Sequence, residues 1–189
     1  MKGKEVSTLL AVAIMASYVP SIQAYGVADN EPKQIQSINA FASSEQDDNG
    51  VHRVATYAID GDEEIRWANE WRGMTSEQMN HAWLTVDLGA VYDLSKIKIL
   101  WEGQSEFSRT GAWAKKYEIQ VSTDGKEWTT VAKENGMVGE ITSSFAATKA
   151  RYVKMQGVSR GTQYGYSIYE MQVFGAVQAK APTITPVSG

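Results

Sequence analysis

Two carboxylates, Asp60 and Asp62, flank Gly61 in the stretch Ala58-Ile-Asp-Gly-Asp62, and Ile65-Arg66-Trp67 follows closely. A lone acid, Glu170, stands far along the chain in Tyr169-Glu-Met-Gln-Val-Phe174. Oxygen donors of this kind suit a hard cation such as Ca²⁺, which takes many oxygens and tolerates irregular geometry. Such an ion would staple an early loop to a late strand. The same residues also fit a plain turn at Asp60-Gly61 and an exposed strand acid at Glu170, and the spacing alone does not choose. Catalytic patterns fit less well. Glu102 and Glu106 share a loop, as glycosidase acids can, but two loop acids are ordinarily solvated side chains. His52 and His81 are isolated, and neither a nucleophile-elbow nor a zinc-protease motif occurs. The chemistry on offer is that of a binder, not an enzyme.

The elements that must position these groups read as strands. Trp83-Leu-Thr-Val-Asp-Leu88, Ile97-Lys-Ile-Leu-Trp101, Tyr117-Glu-Ile-Gln-Val121, Tyr152-Val-Lys-Met155 and Glu170-Met-Gln-Val-Phe174 alternate apolar and polar residues. Asp124-Gly125, between Val121 and Trp128, is a hairpin-type turn. No window of a dozen or so residues carries a helical stripe. Short strands separated by turn residues predict an all-β fold, an antiparallel β-sandwich of jelly-roll type.

The 189 residues carry a net charge of −4 and no cysteine. That balance argues against nucleic-acid binding, which needs a dominant basic face, and it removes disulfide and thiolate chemistry. Residues 1–24 read as a Sec-type signal peptide. Lys2 and Lys4 precede the apolar run Leu9 to Met15, and Ile22-Gln23-Ala24 offers a cleavage site. The run is too short to span a bilayer. A periplasmic protein is expected, with secretion beyond that compartment left open, and with no membrane span in the mature chain. Residues 25–35 read as a lead-in, 36–176 as one sandwich domain and 177–189 as a small, polar tail with Pro182 and Pro186. A monomer is expected.

Several of these runs occur in the order of a known family: Trp83-Leu-Thr-Val-Asp-Leu-Gly89, Tyr117-Glu-Ile-Gln-Val-Ser-Thr-Asp-Gly125 with Trp128, Ala150-Arg-Tyr-Val153, and Tyr169 to Phe174. Together with Ala58 to Asp62 and Arg66-Trp67, they resemble the coagulation-factor C-type (discoidin-like) domain, and more narrowly a family 32 carbohydrate-binding module. Within that family the chain is most similar to solitary periplasmic modules that bind polygalacturonate. The resemblance implies one structural Ca²⁺, held by the carboxylates of Asp60, Asp62 and Glu170 and the backbone carbonyls of Tyr57, Ile65 and Tyr169. Ile65 stands where relatives often have Thr, so a side-chain oxygen is lost there.

The resemblance also places the ligand on loops at one end of the sandwich. Three loops carry suitable chemistry: residues 68–72, 102–113 and 159–166. Sugars present flat C–H faces and a rim of hydroxyls, so their sites combine aromatic platforms with polar groups. Trp71, Trp113 and Tyr164 are the expected platforms. Asn69, Gln163 and Tyr166 are expected to bond hydroxyls. Arg72, Arg109 and Lys115 are expected to pair with a uronate carboxylate, with Arg66 and Arg160 behind them. Arg109 leads this set because it sits in a long, added loop. Trp67, Trp83, Trp101 and Trp128 read as core or strand-edge residues. The expected function is noncatalytic capture of polygalacturonate or pectin fragments. The alternatives are a galactoside-binding module and a cell-envelope adhesion domain that binds lipid or protein.

Overall fold

The computed structural model describes residues 31–103 and 111–176. Short strands come first: β1 (Lys33–Ile35), β2 (Asn39–Ala42), β3 (Gln46–Asp48) and β4 (Val51–Arg53). β3 and β4 form a separate hairpin closed by Asn49 (φ 54°) and Gly50 (φ 87°). Two successive positive φ values are the signature of a type I′ turn, whose twist matches that of a two-residue hairpin. A 3₁₀ turn at Ala55–Ala58, the two-residue β5 (Trp67–Ala68) and the short helix α1 (Ser76–Asn80) follow. Thr75 and Gln78 cap α1 reciprocally, each side chain accepting the other's backbone N–H.

Five longer strands build the body: β6 (Trp83–Trp101), β7 (Ala114–Ser122), β8 (Thr129–Asn135), β9 (Gly139–Arg160) and β10 (Ser167–Ala176). Every pairing is antiparallel. β6 and β9 are long enough to serve both layers of a sandwich. Trp83–Asp87 pairs with Tyr152–Gln156 and with β2, while β9 continues onto β7 and β7 onto β8. After a break in register between Asp87 and Tyr92, the second half of β6 pairs with Gly139–Ser144 and with β10, which is flanked in turn by β1 and β5. The all-β sandwich expected from the sequence is the fold observed.

Three expectations change in detail. The runs Trp83–Leu88 and Ile97–Trp101 belong to one strand, because Gly89 (φ 76°) bends β6 from one layer into the other without ending it. β1 falls within the expected lead-in, where it extends the sheet beside β10. One short helix, α1, interrupts the β-structure. Among the described residues, no helix is long and apolar enough to cross a membrane.

Alternation sends one set of side chains inward. Leu84, Val86, Ile119, Val121, Val153 and Met155 come from one layer, and Ile97, Ile99, Trp101, Met171 and Val173 from the other. Each such side chain contributes about 1.5–3 kcal/mol by leaving water. Trp101 lies edge-on to Tyr117 (5.4 Å between ring centroids) and to Tyr166 (6.0 Å), and so joins the layers at one end. Burial pushes the Tyr117 phenol up to about 12.

At the bend of β6, the Asp87 carboxylate accepts the Gly89 N–H (2.8 Å) and a two-pronged contact from Arg151 (2.8 and 2.9 Å). The Arg151 hydrogen bonds hold the Asp87 carboxyl below its ordinary value of 3.8; burial opposes this, and the Gly89 N–H adds to it. A depressed carboxyl stabilises the fold above its unfolded value, and that contribution is lost as pH falls through the lower folded value. Melting temperature is therefore expected to fall as pH drops below 3.8. Asp87→Asn is expected to flatten this acid limb, as read by circular dichroism melts across pH; an unchanged limb would show that other carboxylates control it.

Candidate functional site

The loop after β5 is preset by its own acid. Glu70 folds back so that one carboxylate oxygen accepts the N–H groups of Trp71 and Arg72, both at 2.8 Å. Burial pushes the Glu70 carboxyl up, but the backbone donors of Arg72, Trp71 and Asp47 outweigh it and hold the group below its usual range. Arg72 is spent on the same architecture: it bonds the Asp47 carbonyl (2.7 Å) and Asp48 (2.7 Å), and its guanidinium lies 5.0 Å from the centroid of the Trp71 ring. The loop thus presents Trp71 outward, 44% exposed, with little freedom left to lose on binding.

Opposite it, the segment before β10 is clamped from three sides. Thr162 donates to the Gly111 carbonyl (2.7 Å), Arg160 bonds the Gln163 carbonyl (2.7 Å) and Asn80 (2.9 Å), and the Ser167 N–H bonds the Ala112 carbonyl (2.8 Å). Between the two loops lies an open cleft of about 260 Å³ with Trp71 and Tyr164 among its walls and Arg66, Asn69 and Glu102 deeper in. Arg66 pairs with Glu102 through Nη2 (2.8 Å), while its buried Nη1 has no partner among the described residues. Arg66 thus brings a cation to the lining of the cleft, held in place by Glu102.

The sequence-derived ligand set divides. Trp71 and Tyr164 (38% exposed) both line the cleft and expose their rings. Asn69 lines the cleft, but its amide is committed, accepting the Tyr166 N–H and donating to the Glu70 carbonyl (2.8 Å). Tyr166 is wholly buried, and its hydroxyl donates to the Asn80 carbonyl (2.8 Å). The expectation that it bonds a ligand hydroxyl is therefore corrected: packing against Trp101 turns the ring into the core. Trp113 is half-buried against the core over Gly161, where any Cβ would collide with the indole. Arg72 faces Asp48 and Glu70. Gln163 and Lys115 are exposed but do not line the cleft, and Arg109 lies outside the described residues. Gln46 and Asp48 of the β3–β4 hairpin line the cleft although the sequence reading passed them by. The Asn49-Gly50 dipeptide was the signal that could have found them.

At the acidic loop the structure brings Gly61 to Glu170, whose Oε1 accepts the Gly61 N–H. Glu170 is 6% exposed on β10, and burial raises its pKa, with Asp60, Glu63 and Asp62 raising it further against the Gly61 donor. Asp60 accepts the Asp62 N–H (3.0 Å) and Asp62 the Glu64 N–H (2.8 Å). Tyr57 lies in the 3₁₀ turn, Ile65 is partly exposed before β5, and Tyr169 precedes Glu170 in β10. Among the described residues, no three Asp, Glu, His or Cys side chains converge in a metal-holding geometry. The donor set is all oxygen and the buried acid is crowded by like charge, which is chemistry that fits a hard cation.

With fold and cleft in view, comparison with known proteins decides the family. A match to the F5/8 type C domain runs over residues 39–171. The chain belongs to the F5/8 type C domain family. This F5/8 type C domain is 34% identical, with a TM-score of 0.61, to chitosan-binding module 1 of a chitosanase/glucanase from Paenibacillus sp. IK-5, covering 75% of this chain and 96% of that one. It is 27% identical, with a TM-score of 0.64, to CpGH89CBM32-5 from Clostridium perfringens in complex with GalNAc-β-1,3-galactose, covering 76% of this chain and all (100%) of that one. It is also 33% identical over 107 residues to the polysaccharide lyase 8 family protein HylA of Enterococcus faecalis; that stretch is 54% of this chain and only 7% of HylA. The domain therefore has the fold of a carbohydrate-binding module.

Because the Tyr166 hydroxyl is committed to Asn80, Tyr166→Phe is expected to cost about 1 kcal/mol in urea unfolding while leaving glycan affinity unchanged. Lost binding at undiminished stability would return the hydroxyl to the ligand set.

Proposed function

We propose that this domain captures an acidic glycan without catalysis, a uronic-acid polysaccharide such as polygalacturonate, in the cleft between residues 68–72 and 162–167. One observation carries the reading: two exposed aromatic side chains, Trp71 and Tyr164, and the cation Arg66 line one open cleft. The platforms suit the C–H face of a sugar ring, and the guanidinium suits its carboxylate. Arg109, which lies outside the described residues, is proposed to add charge to the site. The proposed setting is the periplasm, where a weak single site gains from many copies engaging one polymer.

A second reading rests on Asp48 and Glu102, which line the same cleft and would suit a cationic amino sugar. The related Paenibacillus module is described as chitosan-binding. Calorimetric titration with trigalacturonate, galactotriose and chitotriose separates the two. Trigalacturonate is expected to bind in the millimolar to micromolar range and to weaken as salt shortens the Debye length from about 10 Å to about 3 Å. Trp71→Ala and Arg109→Ala are each expected to weaken it about tenfold. Binding of chitotriose alone would establish the second reading, and binding of galactotriose with no salt dependence would remove both.

We also propose that Asp60, Asp62 and Glu170, with the carbonyls of Tyr57, Ile65 and Tyr169, hold a structural Ca²⁺. Support comes from Glu170, a buried carboxylate facing three other acids. A bound cation would turn that repulsion into attraction and tie the 3₁₀ turn and its loop to β10. At a hundredfold excess over its dissociation constant, Ca²⁺ is expected to add about 2.7 kcal/mol to stability. Chelation should remove that increment, and Glu170→Gln should abolish the response. A melting temperature indifferent to both Ca²⁺ and chelator would refute the site.

A further inference from the structure

We infer that a second glycan subsite, for a single uronate residue, lies on the outer face of the β2–β6–β9–β7 layer with Lys154 at its centre. Phe41, Thr85, Lys154 and Gln120 pair successively across those four strands, so they form one row. Their chain neighbours Val86, Val153, Met155, Ile119 and Val121 fill the core, which places this row on the opposite, solvent face. Here the sheet is not polar. Phe41 is 47% exposed, Trp83 and Tyr152 are half-buried beside it, and Trp128 leans in from the segment before β8. These aromatics line a groove of about 360 Å³ that shares no lining residue with the loop-end cleft.

The lining of this groove carries one cation, Lys154, and one acid, Asp124. The Lys154 ammonium stands 3.7 Å from the Trp128 ring centroid and 6.0 Å from that of Trp83. Among the described residues it has no carboxylate partner. The acids around it are occupied elsewhere. Asp124 accepts the Ser122 hydroxyl and the N–H groups of Lys126 and Glu127; Glu118 holds Lys133, Gln120 and Thr130; Asp87 holds Arg151. Burial lowers the Lys154 pKa.

A partly desolvated cation between two indoles attracts a carboxylate more strongly than an exposed lysine does. A uronate brings both parts of the match, an apolar C–H face for the aromatics and a carboxylate for Lys154. A neutral sugar offers only the first and a phosphate only the second. The subsite shares with the loop-end reading only its class of ligand. Two subsites on one domain would raise the avidity for a polymer above that of either alone.

Nitrogen-15 NMR tests this, with trigalacturonate titrated against the full domain while the indole N–H signals are followed. The Trp83 and Trp128 signals are expected to shift and saturate, and to do so equally in Trp71→Ala. Lys154→Met keeps the aliphatic stem and is expected to weaken the Trp83 and Trp128 response about tenfold while leaving the Trp71 response intact. Lys154→Arg is expected to retain it, which separates loss of charge from loss of fold. Shifts at Trp71 with Trp83 and Trp128 unmoved would overturn the second subsite and leave the loop-end reading standing. Equal shifts with galactotriose would overturn the role of Lys154. Silence at all three tryptophans would overturn both sites.

Discussion

The edge-on stack of Trp101 with Tyr117 and Tyr166 is the contact on which the binding end depends. Trp101 closes β6, Tyr117 sits in β7 and Tyr166 leads into β10, so three separated stretches of chain meet on one indole. From Tyr166 the order spreads outward. Its hydroxyl fixes the end of α1 through Asn80, and its N–H fixes Asn69 and hence the loop bearing Trp71. The cleft is in this sense the outer surface of the core, and its geometry is as rigid as the packing beneath it.

The second organising constraint is electrostatic and local. Carboxylates in this domain are used mainly to hold backbone: Glu70 on its own loop, Asp87 at the β6 bend, Asp124 in the β7–β8 turn. Each accepts N–H groups that a tight turn leaves without strand partners. Glu170 differs, since its single backbone donor does not offset burial and three neighbouring acids. That contrast separates an acid that finishes a turn from one crowded by burial and like charge.

Much of this architecture was legible in the sequence. The alternating runs at Trp83, Ile97, Tyr117, Tyr152 and Glu170 all lie in strands, because period-two patterning reports directly on a sheet with one buried face. Continuity was not legible. The runs Trp83–Leu88 and Ile97–Trp101 read as separate, yet Gly89, with its N–H bonded to Asp87, is a bend within one strand, β6. The first half of β9 escaped notice because Gly139-Glu-Ile-Thr-Ser-Ser is mostly polar and takes its place by pairing with β6. At the cleft, residue type pointed to Trp71 and Tyr164, which are exposed in its lining, but could not tell them from Tyr166, whose ring is buried. That distinction depends on where Trp101 lies, a fact of tertiary packing. Likewise Trp83 and Trp128 read as core or edge, and only strand register for Trp83 and a tertiary contact for Trp128 show them beside Lys154.

The position of the last strand has a consequence for how such a chain comes into being. β10 is not at an edge: it lies between β1 and β6 and also pairs with β5. Synthesis delivers it after β1 to β9, so until then β1 and β5 lack their partner and β6 has one side open. A growing chain of this kind cannot settle into its native sheet piecemeal from the N-terminus. The open edges of β1, β5 and β6 are paired only when β10 arrives.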